Sequence, residues 1–294
     1  MAVQLRSRFV SVEGYTTHYT ESGGEGPVII GLHGGGAGSS GEAGMAPLMK
    51  ELAPAGFRFI ALDSVGGFGK TDPRAPVRYG LQSRADHLAA FADAIGLERF
   101  SVLGNSQGAW VAARYAVTHP DRVERLVLIG SATLGLCMGF PEEKTPGMLA
   151  MQGYDQTREG MRKMIQGLLF HKELATDALV DLRYAAASRP GAMEAFKKQV
   201  EANRYLQNDP VLRTQFQMRE SLPLLTQHIP TSVIWGEDDT FAPVTLARNL
   251  EPLLPHARFH YLSEAGHQVQ NDQPEKMARI VEEFMRTAPP AARG

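Results

Sequence analysis

The chain has 294 residues, of which 43% are hydrophobic and 21% charged, and its formal net charge is -2. This composition is ordinary for a globular protein, and the absence of any basic run longer than Lys197-Lys198 disfavours nucleic acid and anionic membranes as partners. The single cysteine, Cys137, excludes an internal disulfide, and neither a signal peptide nor a membrane-length apolar stretch is visible, so we expect a cytoplasmic protein.

The first elements form a hairpin and a strand. Segments 9–12 and 16–20 alternate around Glu13-Gly14, which predicts a hairpin at a sheet edge, and the apolar run 28–32 predicts a buried strand. This strand leads into segment 33–38, HGGGAG, where glycines let backbone N–H groups approach a substrate oxygen. A phosphate loop is the alternative, but neither GxxxxGK[ST] nor GxGxxG with its acidic residue is present.

Alternation of strand and helix continues along the chain. The apolar run 57–62 predicts a strand, and segment 81–95 predicts a helix, because Leu88, Phe91 and Ile95 recur at helical spacing before Gly96. Such alternation is typical of a mostly parallel sheet with helices on both faces.

Segment 104–108 reads GNSQG, a GxSxG motif centred on Ser106. It follows the apolar run 100–103 and precedes a helix-like stretch, 109–118. A strand that turns sharply into a helix holds its central residue in a strained conformation and exposes the side chain at the carboxyl end of the sheet. A bare pentapeptide is weak evidence in a chain with 30 glycines, so the strand and helix around it carry the prediction.

After a further strand at 126–129, the alternation stops until about residue 229. Segments 157–167, 175–187 and 193–206 predict consecutive amphipathic helices, introduced by a loop at 135–147. A separate helical domain is the alternative, but the segments on both sides are needed to complete one sheet. We therefore interpret the insertion as a cap that encloses a pocket and limits the access of water.

The last strands end in an acid and a base. The strand beginning at Val233 ends at Gly236 and is followed by Asp238 and Asp239, and strand 258–262 is followed by His267. Asp239 closes the turn and is our choice of acid, with Asp238 as the alternative. A helix near 245–254 lies between these two strands, and an amphipathic helix at 274–285 closes the fold. Each residue alone could be an ordinary loop residue, but the chain order Ser, Asp, His is that of an α/β-hydrolase.

These elements predict the α/β-hydrolase fold, a mostly parallel eight-stranded sheet flanked by helices. The predicted core comprises 1–132 and 230–294, and the predicted cap comprises 133–229. In this fold Ser106 is the nucleophile, His267 the base and Asp239 the orienting acid, with the Gly35 and Gln107 amides as oxyanion donors. No HExxH or paired His and Cys spacing points to a metal, and the chemistry needs no cofactor.

Five segments together resemble the meta-cleavage-product hydrolases, carbon–carbon bond hydrolases of bacterial aromatic degradation. They are 33–38, 104–108, 120–130, 235–239 and 266–267. Two features are narrower than the superfamily: Asn105 before the nucleophile, and segment 182–188, LRYAAAS, which resembles the stretch whose arginine binds the substrate carboxylate. Gln268 stands where many members carry an aromatic residue, and Gln107 where Met or Leu is common.

The resemblance implies a substrate of the 2-hydroxy-6-oxo-hexa-2,4-dienoate type. Arg183 and Asn105 would hold its carboxylate, and Gly34, Gly36 and Gln268 would line the site. Ketonisation of the dienol would precede attack of Ser106 on the C6 ketone, and the products would be a carboxylic acid and a 2-hydroxypenta-2,4-dienoate. The resemblance also implies a homodimer or higher homo-oligomer.

Two other functions remain open at this point. A carboxylesterase or lactonase would use the same Ser106, Asp239 and His267 without needing Arg183, which by spacing alone is an ordinary cap arginine. A noncatalytic ligand receptor on this fold is disfavoured, because no member of the predicted triad is missing. Epoxide hydrolases and haloalkane dehalogenases are disfavoured too, since their nucleophile is an aspartate.

Overall fold

The strands assemble into one sheet with a single antiparallel end. The computed structural model describes residues 3–287, and in this part of the chain the strands are β1 Arg6–Val12, β2 Tyr15–Glu21, β3 Val28–Leu32, β4 Arg58–Leu62, β5 Phe100–Asn105, β6 Val123–Ile129, β7 Thr231–Gly236 and β8 Arg258–Leu262. Their order is β1-β2-β4-β3-β5-β6-β7-β8. β2 pairs antiparallel with β1 and β4, and all other neighbours are parallel.

Helices cover both faces of the sheet and fill the interval between β6 and β7. Over residues 3–287 they are α1 Gly41–Leu52, α2 Leu81–Ala94, α3 Gln107–Thr118, α4 Ala132–Cys137, α5 Pro146–Gln152, α6 Arg158–Leu168, α7 Asp177–Ala187, α8 Ala192–Asn208, α9 Arg213–Phe216, α10 Ser221–Thr226, α11 Val244–Leu250, α12 Val269–Asp272 and α13 Pro274–Arg286. Short 3₁₀ turns occur at Pro120–Arg122, Lys172–Leu174 and Glu251–Leu253.

The central strands are apolar along their whole length because both of their faces are buried. Every residue of β5 and β7 is buried, which is typical of parallel strands covered on two sides. One core lies under α2 and α3 and includes Phe91 and Trp110. The other lies under α1 and α13 and includes Leu48 and Val281. The predicted α/β-hydrolase fold with eight strands is confirmed.

The helices between β6 and β7 have a small core of their own. Met161, Met164 and Ile165 of α6 and Val180 of α7 are fully buried in it, and burial of each such side chain contributes roughly 1.5–3 kcal/mol. A helical insertion after β6 is therefore present where the sequence predicts a cap. The division of the chain into a cap, residues 133–229, and a core, residues 1–132 and 230–294, stays a prediction.

Two predicted boundaries are wrong. The loop predicted at 135–147 is present only over 138–145, because α4 extends to Cys137 and α5 begins at Pro146, and the Ser131 and Thr145 hydroxyls accept hydrogen bonds from the first turns of these helices. The helix predicted at 245–254 ends at Leu250, and a 3₁₀ turn containing Pro252 follows it. Proline lacks the N–H that would continue the helical hydrogen bonding.

Within residues 3–287, no helix is both long enough and apolar enough to span a lipid bilayer.

Candidate active site

Ser106 lies at the turn between β5 and α3 in a strained backbone conformation. Its φ of 58° and ψ of -122° lie in a region that side chains other than glycine rarely adopt. The turn is held by the Ser106 N–H, which donates to the carbonyl of Ile129 at 2.9 Å and that of Gly130 at 3.2 Å. The side chain is thereby directed off the carboxyl end of the sheet, at a residue only 6% exposed.

The two glycines of the motif are required by close backbone approach. A Cβ atom at Gly104 would overlap the carbonyl of Gly108, and one at Gly108 would overlap the carbonyl of Leu32. The turn therefore packs α3 directly against β5 and the end of β3, which accounts for the GxSxG pattern.

His267 and Asp239 form a buried pair at the ends of β8 and β7. The His267 Nδ1 lies 2.9 Å from Asp239 Oδ2, and the two side chains are 3% and 0% exposed. Asp239 Oδ1 also accepts from the Phe241 and Ala242 amides, at 2.8 Å each. Because a carboxylate can only accept here, Nδ1 carries the proton and Nε2 is free to accept another.

Asp238 lies outside this pair. Its Oδ2 accepts the Glu264 amide at 3.0 Å, in an exposed position. Of the two acids predicted as alternatives, Asp239 is thus the one that contacts His267.

A side-chain hydrogen bond joins the Ser106 turn to the His267 loop. The Asn105 Nδ2 donates to the His267 carbonyl at 3.0 Å, which ties the residue before Ser106 to the loop of the base. The His267 Nε2 is buried and has no hydrogen-bond partner among residues 3–287, so Ser106 Oγ is not bonded to it in this structure. Hydrogen bonds of this kind are often formed only when substrate is bound.

The glycine-rich loop after β3 lies directly against Ser106. A Cβ atom at Gly34 would lie 3.3 Å from the Ser106 Cβ, and one at Gly35 would overlap the Gln107 side chain. Gln107 is the first residue of α3, where backbone N–H groups have no partner within the helix. The Gly35 and Gln107 amides make no hydrogen bond to another described residue, so both are free to bind an oxyanion.

His33 and Arg84 make hydrogen bonds that hold this loop in position. His33 Nδ1 contacts the Gly34 carbonyl at 2.7 Å, and its Nε2 accepts the Ser64 amide at 3.1 Å. Arg84 donates to the His33 carbonyl at 2.7 Å and to Gln107 Oε1 at 3.2 Å. Burial, followed by the charge of Arg84, lowers the pKa of His33 to about 3, so this imidazole is neutral and structural.

The sequence interpretation missed Arg84. The sequence does contain an indication that Arg84 has a special role. Arg84 lies in phase with Leu81, Leu88 and Phe91 on the apolar face of α2, where a charged side chain is unusual.

Arg183 on α7 is buried beside the same loop. It is 2% exposed, and its Nη2 donates to the Ala37 carbonyl at 3.1 Å and to Ser39 Oγ at 3.2 Å. Its Nε has no partner among the described residues, and burial lowers its pKa to about 10. A Cβ atom at Gly36 would lie 3.1 Å from the Arg183 Nη2, which places Gly36 next to the guanidinium.

A small cavity joins most of the predicted substrate-binding residues. Gly34, Asn105, Arg183 and Gln268 line it together with Ser39 and Ser40, and its volume is about 10 Å³, room for about one water molecule. We call it the Arg183 cavity. Asn105 uses its amide for the His267 carbonyl, and its Oδ1 accepts from Gln270 at 3.3 Å. Asn105 therefore also has a structural role that the sequence did not predict.

A larger apolar cavity lies on the side of β6 and β7. Its volume is about 160 Å³, and its apolar lining includes Leu136, Phe140, Met148, Phe241 and Leu246. We call it the Phe241 cavity. The Phe241 ring lies 4.4 Å from the His267 ring, centroid to centroid, so one wall of this cavity packs against the imidazole.

Asp272 joins the helical insertion to the loop of His267. Its carboxylate accepts the amides of Phe170 and His171 at 3.0 Å and that of Gly266 at 2.8 Å. The His267 amide in turn donates to the Leu168 carbonyl at 2.9 Å. Nothing in the sequence around Asp272 indicates this role, because Phe170 and His171 are about one hundred residues away in the chain.

No group of three or more His, Cys, Asp or Glu side chains suited to a metal ion occurs in residues 3–287. The charged groups nearest the Ser106 turn are Arg84, Arg183 and the His267 and Asp239 pair. The arrangement can therefore deprotonate a hydroxyl, stabilise an oxyanion and bind an anion.

Comparison with known proteins identifies the family. A family model described as alpha/beta hydrolase fold matches residues 27–274. A 2-hydroxy-6-oxo-2,4-heptadienoate hydrolase of Pseudomonas putida is 33% identical and covers 95% of each chain. A 2-hydroxy-6-oxononadienedioate/2-hydroxy-6-oxononatrienedioate hydrolase of Paraburkholderia xenovorans is 32% identical over 91% of this chain and 90% of its own.

Among solved structures, the meta-cleavage product hydrolase CumD of Pseudomonas fluorescens IP01 superposes with a TM-score of 0.77 at 30% identity, covering 95% of this chain and 97% of its own. The chain is a hydrolase of the alpha/beta hydrolase fold family and belongs, within it, to the meta-cleavage product hydrolases.

Proposed function

We propose that the protein cleaves a carbon–carbon bond in a 2-hydroxy-6-oxo-hexa-2,4-dienoate, using Ser106 as nucleophile. The observation that carries the proposal is the burial of Arg183 without an acidic partner among the described residues, in a cavity next to the Ser106 turn. A buried cation costs several kcal/mol unless an anion pairs with it. The carboxylate of the dienoate is such an anion, and a simple ester has none.

The substrate would extend across Ser106 between two cavities. Its carboxylate would bind Arg183 at the Arg183 cavity, which must widen to admit it, with Gly36 next to the guanidinium and with Gln268 and Asn105 in the lining. The acyl group beyond the C6 ketone would occupy the Phe241 cavity. The two relatives support this orientation, since their names share the 2-hydroxy-6-oxo end and differ in the part beyond C6.

In the proposed reaction, the dienol first ketonises by moving its hydroxyl proton to the carbon chain. Ser106 then attacks the C6 ketone while His267 Nε2 takes its proton, and Asp239 orients the imidazole. The Gly35 and Gln107 amides bind the oxyanion, each worth about 3 kcal/mol of transition-state stabilisation. The C5–C6 bond then breaks, its electron pair passes through the enone to the C2 ketone oxygen, and this oxygen takes the proton from His267 to give 2-hydroxypenta-2,4-dienoate. Water, deprotonated by His267, hydrolyses the acyl-Ser106 ester to a carboxylic acid and frees Ser106.

The test compares bleaching of a yellow dienoate with release of p-nitrophenol from a neutral ester. We expect Ser106→Ala to abolish both. Arg183→Ala should lower kcat/KM for the dienoate about 100-fold, because a charge-assisted contact to the carboxylate is lost, and should change ester turnover less than about threefold.

Arg204→Ala, at an exposed position on α8, is the matched control and should behave as wild type. Efficient ester turnover without dienoate bleaching, and with no effect of Arg183→Ala, would instead establish a carboxylesterase or lactonase.

We also propose a homodimer or higher homo-oligomer, as the family resemblance implies, and a cytoplasmic location, as expected from the sequence. Sedimentation of the purified protein tests the assembly.

A further inference from the structure

The lining of the Phe241 cavity differs in charge from that of the Arg183 cavity. Besides its apolar residues it is lined by two acidic side chains, Glu142 and Glu143, and by no Lys, Arg or His. Phe241, one wall of the cavity, packs against His267, so in the proposed orientation a group held there follows directly on the scissile bond. The chemistry of this lining therefore bears on the acyl group of the substrate.

We propose that the protein selects substrates whose acyl group is uncharged and apolar, and discriminates against acyl groups that end in a carboxylate. This inference rests on the proposed orientation of substrate between the two cavities.

Two physical effects act in the same direction. A carboxylate placed among Leu136, Phe140 and Met148 would lose its water without gaining a cation or a ring of N–H donors. Glu142 and Glu143 add repulsion at the outer part of the cavity. Both glutamates are exposed, so solvent and salt screen this second effect, and desolvation is the larger of the two.

The Arg183 cavity offers no alternative binding site for a second carboxylate. The first carboxylate of a dienoate already occupies Arg183, and Arg84 is engaged with the His33 carbonyl and Gln107 behind the glycine loop. A second carboxylate in the same molecule would have to enter the Phe241 cavity, at the opposite end of the dienoate.

The test uses two dienoates of equal length: 2-hydroxy-6-oxonona-2,4-dienoate, which ends in a methyl group, and the corresponding 1,9-dioate, which ends in a carboxylate. We expect kcat/KM for the monoacid to exceed that for the dioate at least about tenfold. Raising the ionic strength should reduce this ratio, because screening weakens repulsion by the glutamates. Equal or faster turnover of the dioate would overturn the proposal.

Substitutions test whether the discrimination against the dioate arises in the Phe241 cavity. Met148→Lys, which adds a flexible cation to the lining, should raise turnover of the dioate relative to the monoacid by at least about fivefold, while Met148→Gln, polar but uncharged, should not. Glu142→Gln with Glu143→Gln should shift the ratio in the same direction by a smaller factor. If neither Met148→Lys nor the glutamate variant changes the ratio, the acyl group does not bind here and the inference is wrong.

An ester pair separates this inference from the proposed carbon–carbon cleavage. In the Arg183→Ala background, p-nitrophenyl butyrate and the p-nitrophenyl monoester of succinate present the same two acyl ends to Ser106 without a dienoate. Preference for the butyrate would support the selectivity even if no dienoate were cleaved. Preference for the succinate would refute it whatever the outcome with dienoates.

Discussion

Arg84 and Arg183 are buried cations on either side of the glycine-rich loop. Arg84 donates to the His33 carbonyl and to Gln107, and Arg183 donates to the Ala37 carbonyl and to Ser39, so neither is bonded to a carboxylate among the described residues. Burial lowers the pKa of Arg84 to about 9 and that of Arg183 to about 10, which leaves both charged at neutral pH. Their field acts where a carboxylate and an oxyanion are proposed to bind.

Arg84 is expected to act through the residues that it holds. Arg84→Met should lower kcat about 10- to 100-fold, because Gln107 and the loop before Gly35 lose their support and the oxyanion loses a nearby cation. KM should change less than about threefold, and Arg84→Lys should recover part of the rate. Steady-state kinetics on a p-nitrophenyl ester measure both constants.

Arg114→Met is the control for this prediction, because it removes another arginine–glutamine hydrogen bond, to Gln82 at 2.8 Å, away from the loop. If Arg84→Met and Arg114→Met reduced kcat equally, Arg84 would be no more than a structural residue of the helix layer.

The two adjacent aspartates allow a matched test of the acid. Asp239→Asn should reduce kcat about 10⁴-fold, because an amide facing Nδ1 no longer stabilises the imidazolium or holds the tautomer that leaves Nε2 unprotonated. Asp238→Asn keeps an oxygen acceptor for the Glu264 amide and should stay within about twofold of wild type. A reversed order in single-turnover assays would assign the acid to Asp238.

At the scale of elements, the features predicted correctly from the sequence are mainly those whose positions the parallel sheet determines. Ser106, Asp239 and His267 each follow a strand of the parallel part of the sheet, and the carboxyl ends of parallel strands meet at one edge, so strand prediction alone brings them near each other. Arg84 and Asp272 were missed because their roles depend on partners far away in the chain. The helices α4 and α5 were missed because the capping hydroxyls of Ser131 and Thr145 were not read as helix starts.

Asp272 is the element-scale link between the helical insertion and the loop of His267. Asp272→Ala should destabilise the protein by about 2–3 kcal/mol, because the buried Gly266 amide and the partly buried Phe170 and His171 amides lose their acceptor. Hydrogen exchange should increase in segments 168–172 and 264–268, and kcat should fall with it. Urea denaturation and exchange mass spectrometry measure the two effects.

Glu275→Gln, an exposed acid at the start of α13, should leave stability and exchange unchanged. If Asp272→Ala increased exchange uniformly over the chain, the carboxylate would stabilise the fold in general without specifically joining these two segments.

At the scale of the whole molecule, two buried histidines make stability depend on pH. Burial, followed by the charge of Arg84, lowers the pKa of His33 to about 3 and that of His87 to about 4. In the unfolded chain a histidine has a pKa near 6.5. Between about pH 6.5 and pH 4 the unfolded chain therefore binds protons that the folded chain does not, and stability falls as the pH falls.

The loss from pH 7 to pH 5 should be about 2 kcal/mol for each of these histidines, since one pKa unit corresponds to about 1.4 kcal/mol. His87→Gln keeps a side chain able to hydrogen-bond the Thr17 hydroxyl, which His87 Nε2 contacts at 2.8 Å, and removes the titrating ring. Urea denaturation at the two pH values should show a loss smaller by about 2 kcal/mol in this variant than in wild type. His256→Gln, at an exposed position, is the control, and an equal loss in both variants would mean that His87 does not resist protonation in the folded protein.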